Sequence, residues 1–163
     1  MSTAQNLEAI TFSECKPFLP NFTAAKCIKV YDGELFHVGV YLQDYGATRF
    51  TCRLVGIDTP ELRAKSKGEK TLAKIAREEF KSIALNKLIH VSINGLDKYG
   101  RLYMRVSCGE IKDISQHLID NGLAVPFDGG RKTKVAWDTM LKSWMLRRQG
   151  THEDPEFSET DEE

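Results

Sequence analysis

A five-stranded α+β barrel, with one helix inserted between the third and fourth strands and two more after the fifth, is the fold class this sequence predicts. Three observations predict it. Residues 24–56 alternate apolar and polar side chains in three short runs separated by turn residues. From Lys70 the apolar spacing changes to that of one helix face. Two further alternating runs follow, and then two shorter helical patterns.

Taken in order, Ile28 and Val30 alternate with polar neighbours before Asp32-Gly33, a strong hairpin signal. Phe36, Val38, Val40 and Leu42 carry the pattern out of that turn, Gly46 offers the next one, and Phe50, Cys52 and Leu54 resume it. Asp58-Thr59-Pro60 interrupts the sheet. Leu72, Ile75, Ala76, Phe80, Ile83 and Ala84 then share a helix face, with Lys74, Arg77, Glu78 and Lys81 as its solvated side. Leu88 to Ile93 and Leu102 to Val106 read as strands joined by a turn through Gly95 and Gly100. A short helix follows, capped by Asp113 or Ser115 and stopped by Gly122. The last helix uses Trp137, Met140, Leu141, Trp144 and Met145 as core. This order fits a Greek-key barrel of OB type.

The domain is expected over residues 23–150, behind an extended lead-in (1–22) and ahead of an acidic, disordered tail (151–163). The formal net charge of zero hides an asymmetry. Seven acids and no Lys or Arg lie between Glu153 and Glu163, which leaves 16 acidic against 23 basic residues, a body of about +7. Such a body suits a polyanion. Cys15, Cys27, Cys52 and Cys108 lack zinc-ligand spacing, and the four histidines are scattered. With no leader pattern at the N-terminus and no apolar run of membrane-spanning length, an intracellular, cytoplasmic monomer with reduced, buried thiols is expected.

Three segments carry chemistry. Arg53-Leu-Val-Gly-Ile-Asp58-Thr59-Pro60-Glu61 buries an arginine in an apolar strand and delivers two carboxylates at its end. These either close a turn as ion pairs or converge as hard oxygen ligands for a cation. Asp97-Lys98-Tyr99-Gly100-Arg101 is a tight turn that starts a strand with a cation. Tyr31-Asp32-Gly33-Glu34 sets two acids across a hairpin; Asp32 has a turn duty, Glu34 has none.

In this order and spacing the segments resemble the staphylococcal nuclease (thermonuclease) family, which carries an Asp-Gly-Asp-Thr hairpin, an Arg five residues before Asp-Thr-Pro-Glu, and an Asp-Lys-Tyr-Gly-Arg turn. Asn121-Gly122-Leu123-Ala124 adds a fourth match, and the resemblance runs from about Ala24 to Gln149. It implies the OB-type barrel and a nuclease that cuts the P–O5′ bond of DNA or RNA, leaving 3′-phosphate ends. One Ca²⁺ would sit on Glu34, Asp58 and the main-chain carbonyl of Thr59. Arg53 and Arg101 would clamp the phosphate, and Glu61 would act as general base. Lys98 and Tyr99 would contact flanking nucleotide. No protein partner is implied.

Two departures from the family stand out. Glu34-Leu35 replaces Asp-Thr, which moves the carboxylate outward by roughly 1.5 Å. After Ala124, Phe127 replaces family tyrosines and offers a stacking face without a hydroxyl. The following Gly129-Gly130 loop with Arg131, Lys132 and Lys134 either tracks a phosphate backbone or is a solvated loop. The competing reading is a catalytically silent OB-type module that binds nucleic acid or protein.

Overall fold

The computed structural model describes residues 6–153. Five strands close a barrel: β1 (Ala24–Val30), β2 (Leu35–Leu42), β3 (Gly46–Leu54), β5 (Leu88–Leu96) and β6 (Leu102–Ser107), in the order β1-β2-β3-β6-β5. A short pair, β4 (Ile57–Asp58) with β7 (Val125–Pro126), lies outside it. Three helices complete the α+β fold: α1 (Lys67–Ala84), α2 (Ile114–Asp120) and α3 (Trp137–Glu153). Among the described residues no helix is long and apolar enough to cross a membrane.

Alternation makes the barrel. Cys27, Val30, Phe36, Val38, Cys52, Leu54, Ile89, Met104 and Val106 point inward and are buried, while their neighbours along each strand face out. One helix plugs this core. Leu72, Ala73, Ala76, Phe80 and Ala84 form the buried face of α1, and Phe80 meets Phe36 edge-on at 5.2 Å between ring centroids. Helix α1 starts three residues before its apolar pattern because Ser66 caps it, accepting from the Glu69 N–H at 3.2 Å. Its Glu69 carboxylate reaches back and accepts the Glu61 N–H at 3.1 Å, so the helix cap also fixes the turn after β4.

Every barrel pairing is antiparallel except β3 with β6. The intervening α1 and β5 return the chain to lie parallel to β3, which sets Arg53 beside Tyr103 and Cys52 beside Leu102. Beyond β3, pairing of Ile57 with Pro126 and Asp58 with Val125, together with a Phe127 N–H bond to the Gly56 carbonyl at 2.9 Å, holds residues 125–132 next to Asp58.

Several expectations differ in detail. Among its described residues the lead-in has one 3-10 turn, Leu7–Ala9, and its apolar Phe12 and Phe18 are exposed. Asp113, not Ser115, caps α2. Met145 is exposed, whereas Trp137 is buried and Met140, Leu141 and Trp144 pack partly against the core. Cys15 is exposed; the other three thiols are buried, and burial pushes Cys27 up to about 11 and Cys52 up to about 12. Helix α3 continues through Glu153, and the remainder of the acidic tail lies outside the described residues.

The Asp32-Gly33 turn also differs in cause. Gly33 has no positive φ. A Cβ there would stand 3.1 Å from Ala76 and from both Cβ and Cγ2 of Thr59, so close approach rather than backbone freedom requires the glycine. Gly33→Ala is therefore expected to cost about 1–3 kcal/mol by wedging the hairpin away from α1 and Thr59. Urea denaturation of the two proteins measures it.

Candidate active site

The hairpin and the β3–β6 closure build a cleft of about 740 Å³ on the outside of the barrel. Asp32 starts it. Its Oδ1 accepts the N–H groups of Glu34 at 2.9 Å and Leu35 at 2.7 Å, turning the chain so that Glu34 enters the cleft. Leu35 pairs with Arg53, which puts both side chains on the outer face and Arg53 within 3.2 Å of Glu34, Nε donating to Oε2. Tyr103, on the neighbouring strand, presents its ring 6.0 Å from the Arg53 guanidinium.

The 97–101 turn supplies the opposite wall. Asp97 Oδ1 accepts the N–H groups of Tyr99 at 2.8 Å and Arg101 at 2.9 Å, and its Oδ2 holds Arg101 Nε at 2.6 Å. These bonds, against the cost of burial, keep the Asp97 carboxyl below its ordinary range. Arg101 lies over the Tyr99 ring at 4.6 Å, and Lys98 flanks the same ring at 5.1 Å.

Both arginines are therefore oriented through Nε alone. Among the described residues, neither gives its terminal Nη groups to a protein partner. Two planar donor ends stay available in one polar cleft, the geometry suited to a bidentate oxyanion.

Of the residues singled out from sequence, Glu34, Arg53, Lys98, Tyr99, Arg101, Phe127, Arg131 and Lys132 all line this cleft. Asp58, Thr59 and Glu61 stand outside its lining. Asp58 joins it through Lys132, whose Nζ donates to Oδ1 at 3.0 Å while lying 5.9 Å from the Phe127 ring. Thr59 is buried, its Oγ1 without a hydrogen-bond partner. Glu61 is exposed on the turn that Glu69 anchors.

Sequence reasoning missed three parts of this arrangement. Tyr103 and Leu96 line the cleft. Tyr103 was within reach, because two residues along a strand from Arg101 is the same face. Asp97 is the arginine's anchor as well as a turn residue. The Lys132–Asp58 pair depends on β7, whose two residues carry no periodic signal.

Electrostatics concentrate on Glu34 and Asp58, which are 9% and 8% exposed. Burial raises Glu34 from 4.5 to about 7; Arg53 opposes that, while the charges of Asp32 and Asp58 add to it. Burial likewise raises Asp32 against its two N–H bonds. Burial disfavours the charge on Arg53, but Glu34 outweighs it and leaves the guanidinium firmly protonated. Lys132 behaves similarly, its charge held by Asp58 and Glu34 against burial.

The family model described as staphylococcal nuclease homologue matches residues 51–143. The chain belongs to that family. The matched span is more than half of the 163 residues and takes in Arg53, Asp58, Thr59, Glu61, the 97–101 turn and the 125–132 segment. It starts beyond the 32–35 hairpin that bears Glu34 and Leu35. Among curated proteins none matches. A nuclease-type fold thus carries the cleft.

Glu34 sets a pH dependence. A carboxyl holding its proton to about pH 7 when folded and to 4.5 when unfolded takes up protons on folding. Its contribution to stability is therefore favourable at low pH and fades as pH rises from 4.5 to about 7. In chelator, Glu34→Gln is expected to gain on the order of 2 kcal/mol relative to the parent between pH 5 and pH 8. Thermal unfolding at the two pH values checks it, and a parallel shift of both proteins contradicts it.

Proposed function

We propose that this chain is a calcium-dependent phosphodiesterase that hydrolyses single strands of DNA or RNA at the P–O5′ bond, leaving 3′-phosphate ends. The observation that carries the reading is the pair of arginines, each oriented through Nε by a carboxylate and each with free terminal donors in one cleft. A phosphodiester held between Arg53 and Arg101 would meet more donors as negative charge grows on its equatorial oxygens. Lys98 and Tyr99 border the flanking phosphate, Phe127 offers a base an aromatic face, and Arg131 and Lys132 extend the positive wall.

The donor set fits one hard cation. Glu34 and Asp58 are buried carboxylates, the charge of Asp58 adds to the cost of ionising Glu34, and a divalent ion would relieve it. Among the described residues no three His, Cys, Asp or Glu side chains cluster as a complete metal cage. Two carboxylates and the Thr59 carbonyl suit calcium, which fills its remaining sites from water and phosphate. Bound there, calcium would supply Lewis-acid polarisation of the phosphate oxygen. Binding requires Glu34 to be ionised and Lys132 to leave Asp58. Lys132 would then be free to join the phosphate wall.

Glu61 is assigned as general base because it follows Asp58 by three residues, at the family's position, on a turn pinned by Glu69. A second reading, a silent nucleic-acid-binding module, is favoured by one observation: Glu34 and Asp58 each already carry a cationic partner.

Incubation of labelled single-stranded DNA with CaCl₂ separates the two. Cutting is expected with calcium and absent in EDTA. Glu61→Gln and Arg53→Ala are each expected to lose about 10²–10³ in turnover with the fold intact. Binding without cutting in every divalent metal would establish the silent module.

Lys132→Met is expected to tighten calcium binding severalfold, since the exposed half of its ion pair is worth no more than about 1 kcal/mol. The same variant should bind oligonucleotide more weakly. Calorimetry with calcium alone reads the first effect, and an unchanged affinity would show that Lys132 does not compete for Asp58.

A further inference from the structure

We propose that Tyr103 is the general acid of this site, its hydroxyl giving a proton to the 5′-oxygen that leaves when the phosphodiester is cut. The proposal rests on the phosphodiesterase reading of the cleft and supplies the half of the proton transfer that Glu61 does not.

The reaction sets the requirement. Cutting at P–O5′ expels a sugar alkoxide, a strong base that leaves poorly unless it is protonated as the bond breaks. Glu61 is assigned to the attacking water and stands outside the cleft lining. A second group has to deliver a proton on the leaving side.

Few cleft residues can do so. Among the described residues that line the cleft there is no histidine, and the hydroxyls are those of Tyr99 and Tyr103. Guanidinium groups hold their protons too tightly to serve. Burial opposes the charge on Lys132, but Asp58 holds it. Burial lets Glu34 keep its proton to about pH 7, yet the cation takes Glu34 in ionised form. Lys98 and Tyr99 are exposed, with the Tyr99 ring flanked by Lys98 and Arg101. Tyr103 is half-buried.

Register sets Tyr103 between the two arginines. It is the partner of Arg53 across the parallel β3–β6 pair and follows Arg101 by two residues, on the same face. A phosphate held by both guanidinium groups therefore lies against Tyr103. The ring stands 6.0 Å from the Arg53 guanidinium. On β5 its partner is Gly95, which brings no side chain against it. Core packing does not account for this tyrosine, because Leu102 and Met104 on either side are the buried ones. Its hydroxyl has no hydrogen-bond partner among the described residues, so the O–H is uncommitted.

Arg53 also suits the phenolate that donation leaves behind. After burial and Glu34, a charge on Tyr103 is the next influence on Arg53, and it favours the guanidinium. The attraction is mutual, so the phenolate forms beside a cation. In the full step the water oxygen bonds to phosphorus and gives one proton to Glu61. The P–O5′ bond breaks, its electron pair stays on O5′, and O5′ takes the Tyr103 proton. The products are a 3′-phosphate and a 5′-hydroxyl, and exchange with solvent resets both side chains.

Two substrates that differ in the leaving group test this on the full chain with CaCl₂. Thymidylyl-(3′→5′)-thymidine expels a sugar oxygen, whereas thymidine 3′-(4-nitrophenyl phosphate) expels a nitrophenolate that needs no proton. Tyr103→Phe keeps the ring beside Arg53 and removes the proton. It should lower kcat about 10²-fold on the dinucleotide and less than about threefold on the nitrophenyl ester. Equal rates of parent and variant on the dinucleotide overturn the proposal and leave the cleft reading standing. An equal loss on both substrates overturns it too, and makes Tyr103 a positioning residue for Arg53. A parent that cuts the ester alone has no acid for the sugar oxygen, which also overturns it. A parent that cuts neither substrate in any divalent metal overturns the phosphodiesterase reading and this one with it.

Discussion

The parallel contact between β3 and β6 is the constraint on which the rest of this molecule depends. It closes the barrel and buries the inner faces of all five strands around Phe36, Phe80 and Met104. It also brings Arg53 and Arg101, 48 positions apart in sequence, to one surface. Antiparallel neighbours could have been joined by a tight turn. A parallel pair needs a long crossover, and here α1 and β5 supply it. Helix α1 is thus at once the crossover, the plug of the core and, through Glu69, the anchor of the turn that bears Glu61. Stability and site geometry share these contacts, so Gly33, pressed against Ala76 and Thr59, belongs equally to the core and to the cleft.

Inside that frame the site is a set of buried charges in balance. Burial penalises the charge on Glu34, and Glu34 and Asp58 each face a cation, one from the same barrel and one from the loop after β7. The two pairs are not equivalent. Arg53 and Glu34 have side chains 11% and 12% exposed and sit on paired strands, a rigid arrangement. Lys132 is about half exposed and its pairing partner Asp58 is not, so the lysine is the member that can leave at small cost. A divalent ion replacing Lys132 would exchange one neutralising charge for a stronger one and move a positive group toward the phosphate. On the proposed reading, this asymmetry is what would let a cation displace the lysine from Asp58 while Arg53 stays in place.

Much of the fold was legible because it is written in periods. The β1–β3 alternation and the α1 face each extend over enough residues to stand out, and the barrel order follows from them. What was not legible is short or non-local. Two-residue strands carry no period, so β4–β7 and the Lys132–Asp58 contact it enables were invisible. The Asp32-Gly33 pair was readable as a turn, with Asp32 serving it as expected, but the demand on Gly33 comes from Thr59 and from Ala76 on α1, distant in sequence. At the site, the residue types and order of Glu34, Arg53 and Arg101 were readable, while their mutual orientation was not. Which nitrogen of each guanidinium is engaged is decided by Asp97 and Glu34 in three dimensions. Glu61 remains the residue most dependent on sequence alone, since its side chain stands clear of the cleft lining.

A formal charge of zero does not by itself argue against a polyanionic ligand. What a polyanion meets is the local field, not the sum. The acids nearest the cleft are spent internally: Asp32 on two backbone N–H groups, Asp97 on two more and on Arg101, Glu34 on Arg53. Each such acid orients a donor or shapes a turn without leaving the cleft negative. Lys26, Lys29 and Arg49 on β1 and β3 make no salt bridge among the described residues. With seven acids confined to residues 153–163 and those nearest the cleft bonded inward, a chain of zero formal charge still carries a cationic body.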